Sequence, residues 1–206
     1  MTKTYLFEEN INPKDISFEL ILKLDAEDSL ANQKEKFDLP EGLIYLDGNS
    51  LGAMPKEVST YFEKELREGW ATGLIRSWNQ KGWHVMPVTL GNRLAPMMGA
   101  DEGEVLIVDS TSLNLFKTLV AALKMRPDRS EVVSEKGNFP SDIHVVQGVL
   151  NNFFPNSKLI LTGNTDDEII SAINEKTAVV TLTHVNYKTG QIHDMKRITE
   201  KAHENG

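Results

Sequence analysis

The chain has 206 residues, 40% of them apolar and 25% charged, with a formal net charge of −8; this suits one sizeable soluble core, or a core with an N-terminal appendage. No dense Lys/Arg stripe is present to neutralise phosphates, which argues against a nucleic-acid partner, and the absence of cysteine removes disulfides and thiolate metal sites and points to a reducing compartment. No apolar run approaches membrane-spanning length and the first nine residues lack a signal peptide's apolar centre, so the expected location is cytoplasmic, without a membrane partner.

Residues 13–36 place Ile16, Leu20, Ile21 and Leu24 on one helical stripe followed by a charged continuation. This predicts a helical arm in two pieces, with residues 1–42 as the arm. Residues 37–42 read as a turn and 43–46 as a short strand running into Asp47-Gly-Asn-Ser-Leu-Gly52. The two glycines flanking Asn49 and Ser50 either let the backbone approach a ligand closely or make an ordinary turn. A helix is expected from Pro55, with Val58, Tyr61, Phe62, Leu66 and Trp70 at core spacing. Residues 71–82 read as an irregular loop carrying Arg76, Ser77, Trp78 and Asn79. Those residue types suit a flat, carboxylate-bearing molecule, or equally an interface. Trp83, Leu90, Leu94 and Met97 define a further amphipathic helix that Gly99 ends.

From residue 105 onward the pattern alternates. Residues 105–108 (Val-Leu-Ile-Val) predict a strand, 113–125 a helix, 131–134 a strand, 141–154 a helix, 158–161 a strand, 166–174 a helix capped by Thr165, 178–183 a strand, and 195–205 a helix. Four strands alternating with helices imply a mostly parallel sheet with helices on both faces and right-handed crossovers. The alternation halts on a helix, and the pattern asks for another strand after Gly206.

In such sheets ligands gather at the C-terminal ends of the strands. Residues 109–112, 137–142 and 183–186 are expected there. Thr111 and Ser112, with the free N–H groups of a first helical turn, would make an anion site suited to a phosphate; the alternative is a plain N-cap from Ser110 or Thr111. Pro140 stiffens its turn, Phe139 offers a ring face, and Asp142 either accepts a ligand hydrogen bond or caps the next helix. The five histidines, His84, His144, His184, His193 and His203, have no metal-ligand spacing. No nucleophile elbow, Walker loop or spaced GxGxxG is present.

Five stretches together resemble the kynureninases, especially their bacterial members: Tyr45-Leu-Asp-Gly-Asn-Ser-Leu-Gly52, Gly73-Leu-Ile-Arg-Ser-Trp-Asn79, Asp109-Ser-Thr-Ser-Leu-Asn-Leu-Phe-Lys117, Asn138-Phe-Pro-Ser-Asp142 and Val185-Asn-Tyr-Lys-Thr-Gly-Gln191. They stand in family order and spacing. The resemblance implies a pyridoxal 5'-phosphate enzyme of the aspartate-aminotransferase fold (fold type I). It acts as a homodimer and hydrolyses L-kynurenine, or its 3-hydroxy form, to anthranilate (or 3-hydroxyanthranilate) and L-alanine in tryptophan catabolism and NAD biosynthesis. By position, Thr111 and Ser112 would hold the cofactor phosphate and Phe139 would stack on the pyridine ring. Pro140 and Ser141 belong to the same cofactor-binding run, Asp142 would bond near the ring's 3-oxygen, and Thr183 lies near the cofactor. Asn49 and Ser50 would lie beside the substrate and Trp78 against its aromatic amino-ketone.

The same resemblance places the Schiff-base lysine, the ring-nitrogen aspartate with its neighbouring histidine, and the Tyr-Lys pair beyond Gly206. Tyr187-Lys188 belongs to the 185–191 loop and is not that pair. The expectation is an α/β chain in which residues 43–206 form an incomplete cofactor-binding large domain, carrying no catalytic residue and inactive alone. The alternatives are another fold-type I lyase, such as a cysteine-desulfurase-like enzyme, and a non-catalytic phosphate-binding module.

Overall fold

Helix α1 (Phe18–Glu27) begins where the Ser17 hydroxyl accepts the Leu20 N–H at 3.1 Å, an N-cap that satisfies one of the free donors of the first turn. A 3-10 stretch (Ala31–Lys36) continues the charged segment, as the two-piece reading of the arm expects. This is a computed structural model, and it describes residues 16–206. The readings that fall on residues 1–15, the start of the arm and the N-terminal nine residues, lie outside them. Cα packing divides the chain into two compact units at Met86 and Pro87.

In the first unit, β1 (Phe37–Asp38) pairs antiparallel with β2 (Met54–Pro55). The expected turn at 37–42 therefore starts two residues later. The expected strand at 43–46 does not form: Ile44 is 80% exposed and Leu46 88% exposed. A strand needs a neighbour to take its N–H and C=O groups, and the described residues offer none there. Helix α2 (Val58–Lys64) passes into a π-helical stretch (Glu65–Gly73), a 3-10 turn (Leu74–Arg76) and the short α3 (Ser77–Gln80). The expected loop at 71–82 is thus largely helical. The apolar stripe of Val58, Tyr61, Phe62, Leu66 and Trp70 forms with the expected spacing, yet every one of these side chains is exposed. Spacing aligns a stripe, but burial takes a second surface, and among the described residues this unit buries only Gly69 and Ser77.

A 3-10 turn (Trp83–Val85) leads into α4 (Met86–Met98), which stops where Gly99 adopts φ +69°, a left-handed conformation that glycine takes without steric penalty. Residues 105–108 then run beside α4. Ile107 N–H donates to the Pro87 carbonyl at 3.2 Å, and a Cβ on Gly91 would strike the Val105 carbonyl oxygen. The expected first strand is absent here. Residues 105–108 pair with no strand among the described residues, and Leu106 and Ile107 stay exposed.

The remaining alternation holds. Helix α5 (Thr111–Met125), β3 (Glu131–Glu135), α6 (Pro140–Phe153), β4 (Lys158–Thr162), α7 (Asp166–Ala172), β5 (Thr177–Val180) and α8 (Met195–Glu204) follow in order. The sheet is parallel with strand order β4-β3-β5, so three of the four expected strands form it. Period-two alternation sends neighbouring valines of β3 to opposite faces. Val132 packs with Leu119 and Leu123 of α5 and with Val146, Val149 and Leu150 of α6; Val133 packs with Ile169, Ile173 and Ile198 from the α7 and α8 side. Helices thus cover both faces, as parallel sheets require. Thr165 and Glu168 form a reciprocal capping box at the start of α7. Among the described residues no helix is long and apolar enough to cross a membrane.

Leu123 is 2% exposed whereas Met97 is 83% exposed. Leu123→Ala is expected to lower the unfolding free energy by about 2–5 kcal/mol in a urea titration, and Met97→Ala to change it by less than about 0.5 kcal/mol.

Candidate functional site

At the start of α5 the backbone of Asp109 is left-handed, with φ +48°. It is held there from the helix that follows: Lys117 pairs with its carboxylate, and Asn114 Nδ2 donates to the Val108 carbonyl at 2.8 Å. Ser110 is the N-cap, its hydroxyl accepting the Leu113 N–H and its carbonyl the Asn114 N–H. The capping alternative therefore falls to Ser110. Thr111 and Ser112, one position further on, keep their hydroxyls and N–H groups free of internal hydrogen bonds. Four donors thus lie in the first turn of a 15-residue helix, at its positive end.

Beyond β3 and β5, two loops are tied to each other. Asn138, 5% exposed, sits between β3 and α6. Its Oδ1 accepts the Phe139 N–H at 2.7 Å and the Thr183 hydroxyl at 2.6 Å, while its Nδ2 donates to Ser134 Oγ at 3.1 Å. Asn186 Nδ2 donates to the Gly137 carbonyl, and the same side chain's oxygen caps the turn by accepting the Lys188 and Thr189 N–H groups. The Phe139 and Tyr187 rings meet in a T-shaped arrangement with centroids 4.9 Å apart, and Lys188 Nζ lies over the Tyr187 ring, 5.4 Å from its centroid. Pro140 occupies the first turn of α6, and Ser141 donates to Asp142 at 3.1 Å. Residues 137–142 and Thr183 thus come together at the C-terminal ends of the strands. No hydrogen bond of the described residues ties Thr111 or Ser112 to this group.

The segment leading into α8 carries a triad of ionisable side chains, in which His193 and Glu135 are buried and Asp166 is half-buried. His193, 3% exposed, approaches Asp166 through Nδ1 at 2.7 Å and Glu135 through Nε2 at 3.1 Å. A carboxylate at each ring nitrogen calls for a proton on both. Burial pulls the His193 pKa down, but the hydrogen bonds to Asp166 and Glu135 outweigh it and raise the value above the ordinary one. Asp166 moves the opposite way, lowered first by the bond from His193 and then by the Asp194 N–H. The second oxygen of Glu135, Oε2, is buried without a partner. The triad joins β3, the start of α7 and the segment leading into α8.

The other expected site residues lie in the first unit. Asn49 and Ser50 occupy a turn in which Ser50 Oγ donates to Asp47 Oδ1 at 2.7 Å, and the Tyr45 hydroxyl reaches back to the Leu51 carbonyl. Trp78, 51% exposed, lies on α3, anchored by the neighbouring buried Ser77, whose hydroxyl donates to the Gly69 carbonyl at 2.7 Å. No hydrogen bond or ring contact links Trp78 to Asn49 or Ser50. Sequence reasoning missed the structural roles of Asn138, Glu135 and His193. An imidazole one residue before the helix-capping Asp194 was the available signal; a search for metal spacing passes over it, and no group of three or more ligand-type residues is placed for a metal among the described residues.

A family profile described as aminotransferase class-V matches residues 44–206. The chain is 48% identical over 189 residues to a kynureninase of Pseudomonas fluorescens and 45% identical to one of Burkholderia pseudomallei. Each alignment covers 90% of this chain but 45% of the relative. Among solved structures it resembles a C-DES mutant with glycine covalently linked to its PLP cofactor, with a TM-score of 0.64 and 15% identity over 83% of this chain and 46% of the other. It also resembles DndA from Streptomyces lividans, with a TM-score of 0.56 and 13% identity over 71% of this chain and 42% of the other. These two likenesses are of fold, and they agree with the α/β reading.

The triad's shifts set a pH window. A raised His193 pKa stabilises the folded chain fully below the ordinary imidazole value of about 6.5, and this contribution is lost as pH rises through the folded value. The lowered Asp166 pKa contributes above the ordinary carboxylate value and is lost as pH falls through the folded one. His193→Ala leaves Glu135 buried and unpaired and is expected to cost about 3 kcal/mol or more. Urea midpoints measured across pH should also lose the wild-type decline on the alkaline side.

Proposed function

The chain belongs to the aminotransferase class-V family, and on that premise we propose that it carries the N-terminal, cofactor-binding portion of a kynureninase. The observation that carries this reading is the 48% identity to the Pseudomonas fluorescens kynureninase across 90% of the chain. The relatives are more than twice the length of the matched segment, so the activity proposed is that of the full-length protein. Its substrate would be L-kynurenine or 3-hydroxykynurenine, cleaved by water to anthranilate or 3-hydroxyanthranilate and L-alanine, in tryptophan catabolism and NAD biosynthesis. The proposed location is cytoplasmic.

The donors present fit pyridoxal phosphate. A phosphate carries acceptors only, and the start of α5 offers the Thr111 and Ser112 hydroxyls and N–H groups with no internal acceptor competing for them. The Asp109 carboxylate next to them is neutralised by Lys117, which removes a charge that would repel an anion. Phe139, 46% exposed and in a T-shaped contact with Tyr187, is the ring proposed to stack on the pyridine. Asp142 is the polar group for the ring's 3-oxygen side and Thr183 lies near the cofactor, with Pro140 and Ser141 setting the turn between Phe139 and Asp142. When bound, pyridoxal phosphate supplies an electron sink for the bonds at the substrate's α-carbon.

Asn49, Ser50 and Trp78 are proposed to face the substrate, the first two with hydrogen-bonding groups and the indole with a flat surface for the aromatic amino-ketone. Residues 1–42 are proposed as an arm and 43–206 as part of the large domain. A homodimer is supported by the apolar side chains the first unit leaves open to water, such as Tyr61, Phe62 and Trp70.

The test is to supply L-kynurenine to the full-length protein with and without pyridoxal phosphate and follow anthranilate fluorescence. Cofactor-dependent anthranilate, with an equal yield of L-alanine, is the expected result. Release of sulfide from L-cysteine with no anthranilate would overturn the assignment in favour of a desulfurase-like activity. Pyridoxal phosphate binding without either product would favour a non-catalytic phosphate-binding module.

A further inference from the structure

We infer that Asn138 is a positioning residue of the proposed cofactor face, locking the Phe139 backbone and the Thr183 hydroxyl together and turning the Thr183 lone pairs outward. The inference rests on the functional reading above and assigns a role to a side chain that would not itself touch the cofactor.

The hydrogen-bond directions follow from what each group can do. The Phe139 N–H only donates, so the Asn138 atom 2.7 Å from it is the amide oxygen. Thr183 Oγ1 lies 2.6 Å from that same oxygen. Two oxygens at this separation need a proton between them, and the amide oxygen has none. The single hydroxyl proton of Thr183 is therefore committed to Asn138, and only acceptor lone pairs remain for a ligand. A group meeting Thr183 must be a hydrogen-bond donor.

The amide's other end fixes its rotation. Nδ2 donates to Ser134 Oγ at 3.1 Å, and Ser134 is wholly buried in β3. The sheet thereby dictates how Asn138 is turned, and Asn138 dictates where α6 begins and how Thr183 points. Phe139 starts α6 with extended backbone and no side-chain cap of its own, so its N–H depends on this amide. Asn suits the place because one short side chain carries an acceptor with two lone pairs and a donor. Alanine loses every bond, and aspartate loses the donor to Ser134 while adding a buried charge.

The experiment is a titration of the full-length apoprotein with pyridoxal phosphate, reading the dissociation constant and the visible-range circular dichroism of the bound cofactor. Asn138→Ala and Thr183→Val are each expected to weaken binding about tenfold and to diminish the dichroic band. The double variant should bind no worse than about the weaker single, because both changes break one unit. Thr183→Ser, which keeps the hydroxyl, should bind within about twofold of wild type. Losses that multiply in the double variant, or an Asn138→Ala protein with unchanged affinity and dichroism, would overturn the inference. Ser134→Ala keeps the test decisive if Asn138→Ala does not fold. It frees the amide without altering any cofactor-facing atom, and is expected to reduce the band, whereas an unchanged band overturns the inference. A wild-type protein that fails to bind pyridoxal phosphate would instead overturn the functional reading itself.

Discussion

Every residue of β3 is buried, and three of its five side chains are polar. A polar group withdrawn from water must find a partner inside the protein, and the partners of these three shape the second unit. Glu131 takes Asn174 from the turn before β5 and Lys158 from β4. Ser134 takes Asn138 from the loop that follows β3, and Glu135 takes His193 from the segment leading into α8. The valines between them supply the apolar contacts on both faces. One strand thus anchors both of its neighbours and both loops at its C-terminal end.

This arrangement explains why the proposed cofactor residues assemble where they do. Phe139 and Thr183 are 44 residues apart in sequence, yet a single amide oxygen joins them. The triad of Glu135, His193 and Asp166 braces the same region, with the imidazole held between the two acidic side chains. The start of α5 is organised differently. There a local ion pair and a side-chain bond to Val108 hold Asp109 in a left-handed conformation, and the first helical turn is left with unspent donors.

The two units differ in how they use their apolar residues. The second has apolar clusters on both sides of its sheet. In the first, the helical stripe from Val58 to Trp70 and the segment from Leu43 to Leu46 stay open to water. Exposed apolar area on that scale marks a surface suited to contact with another surface.

Local pattern determined much of this protein by itself. The βα alternation from residue 131 onward, the cap at Thr165, the helix stop at Gly99 and the hydroxyl-bearing start of α5 were all legible, because each depends on neighbours within a few residues. The motifs around Asn49, Trp78, Thr111, Phe139 and Asn186 were legible as a family resemblance for the same reason. What tertiary structure alone decided is pairing and burial. Residues 105–108 have the composition of a strand without a strand beside them, and the stripe on α2 has core spacing without a surface against it. Asn138 and His193 look unremarkable in sequence, since their roles come from partners 45 and 58 residues away. Periodicity fixes which face a side chain takes, but only the folded chain determines what that face meets.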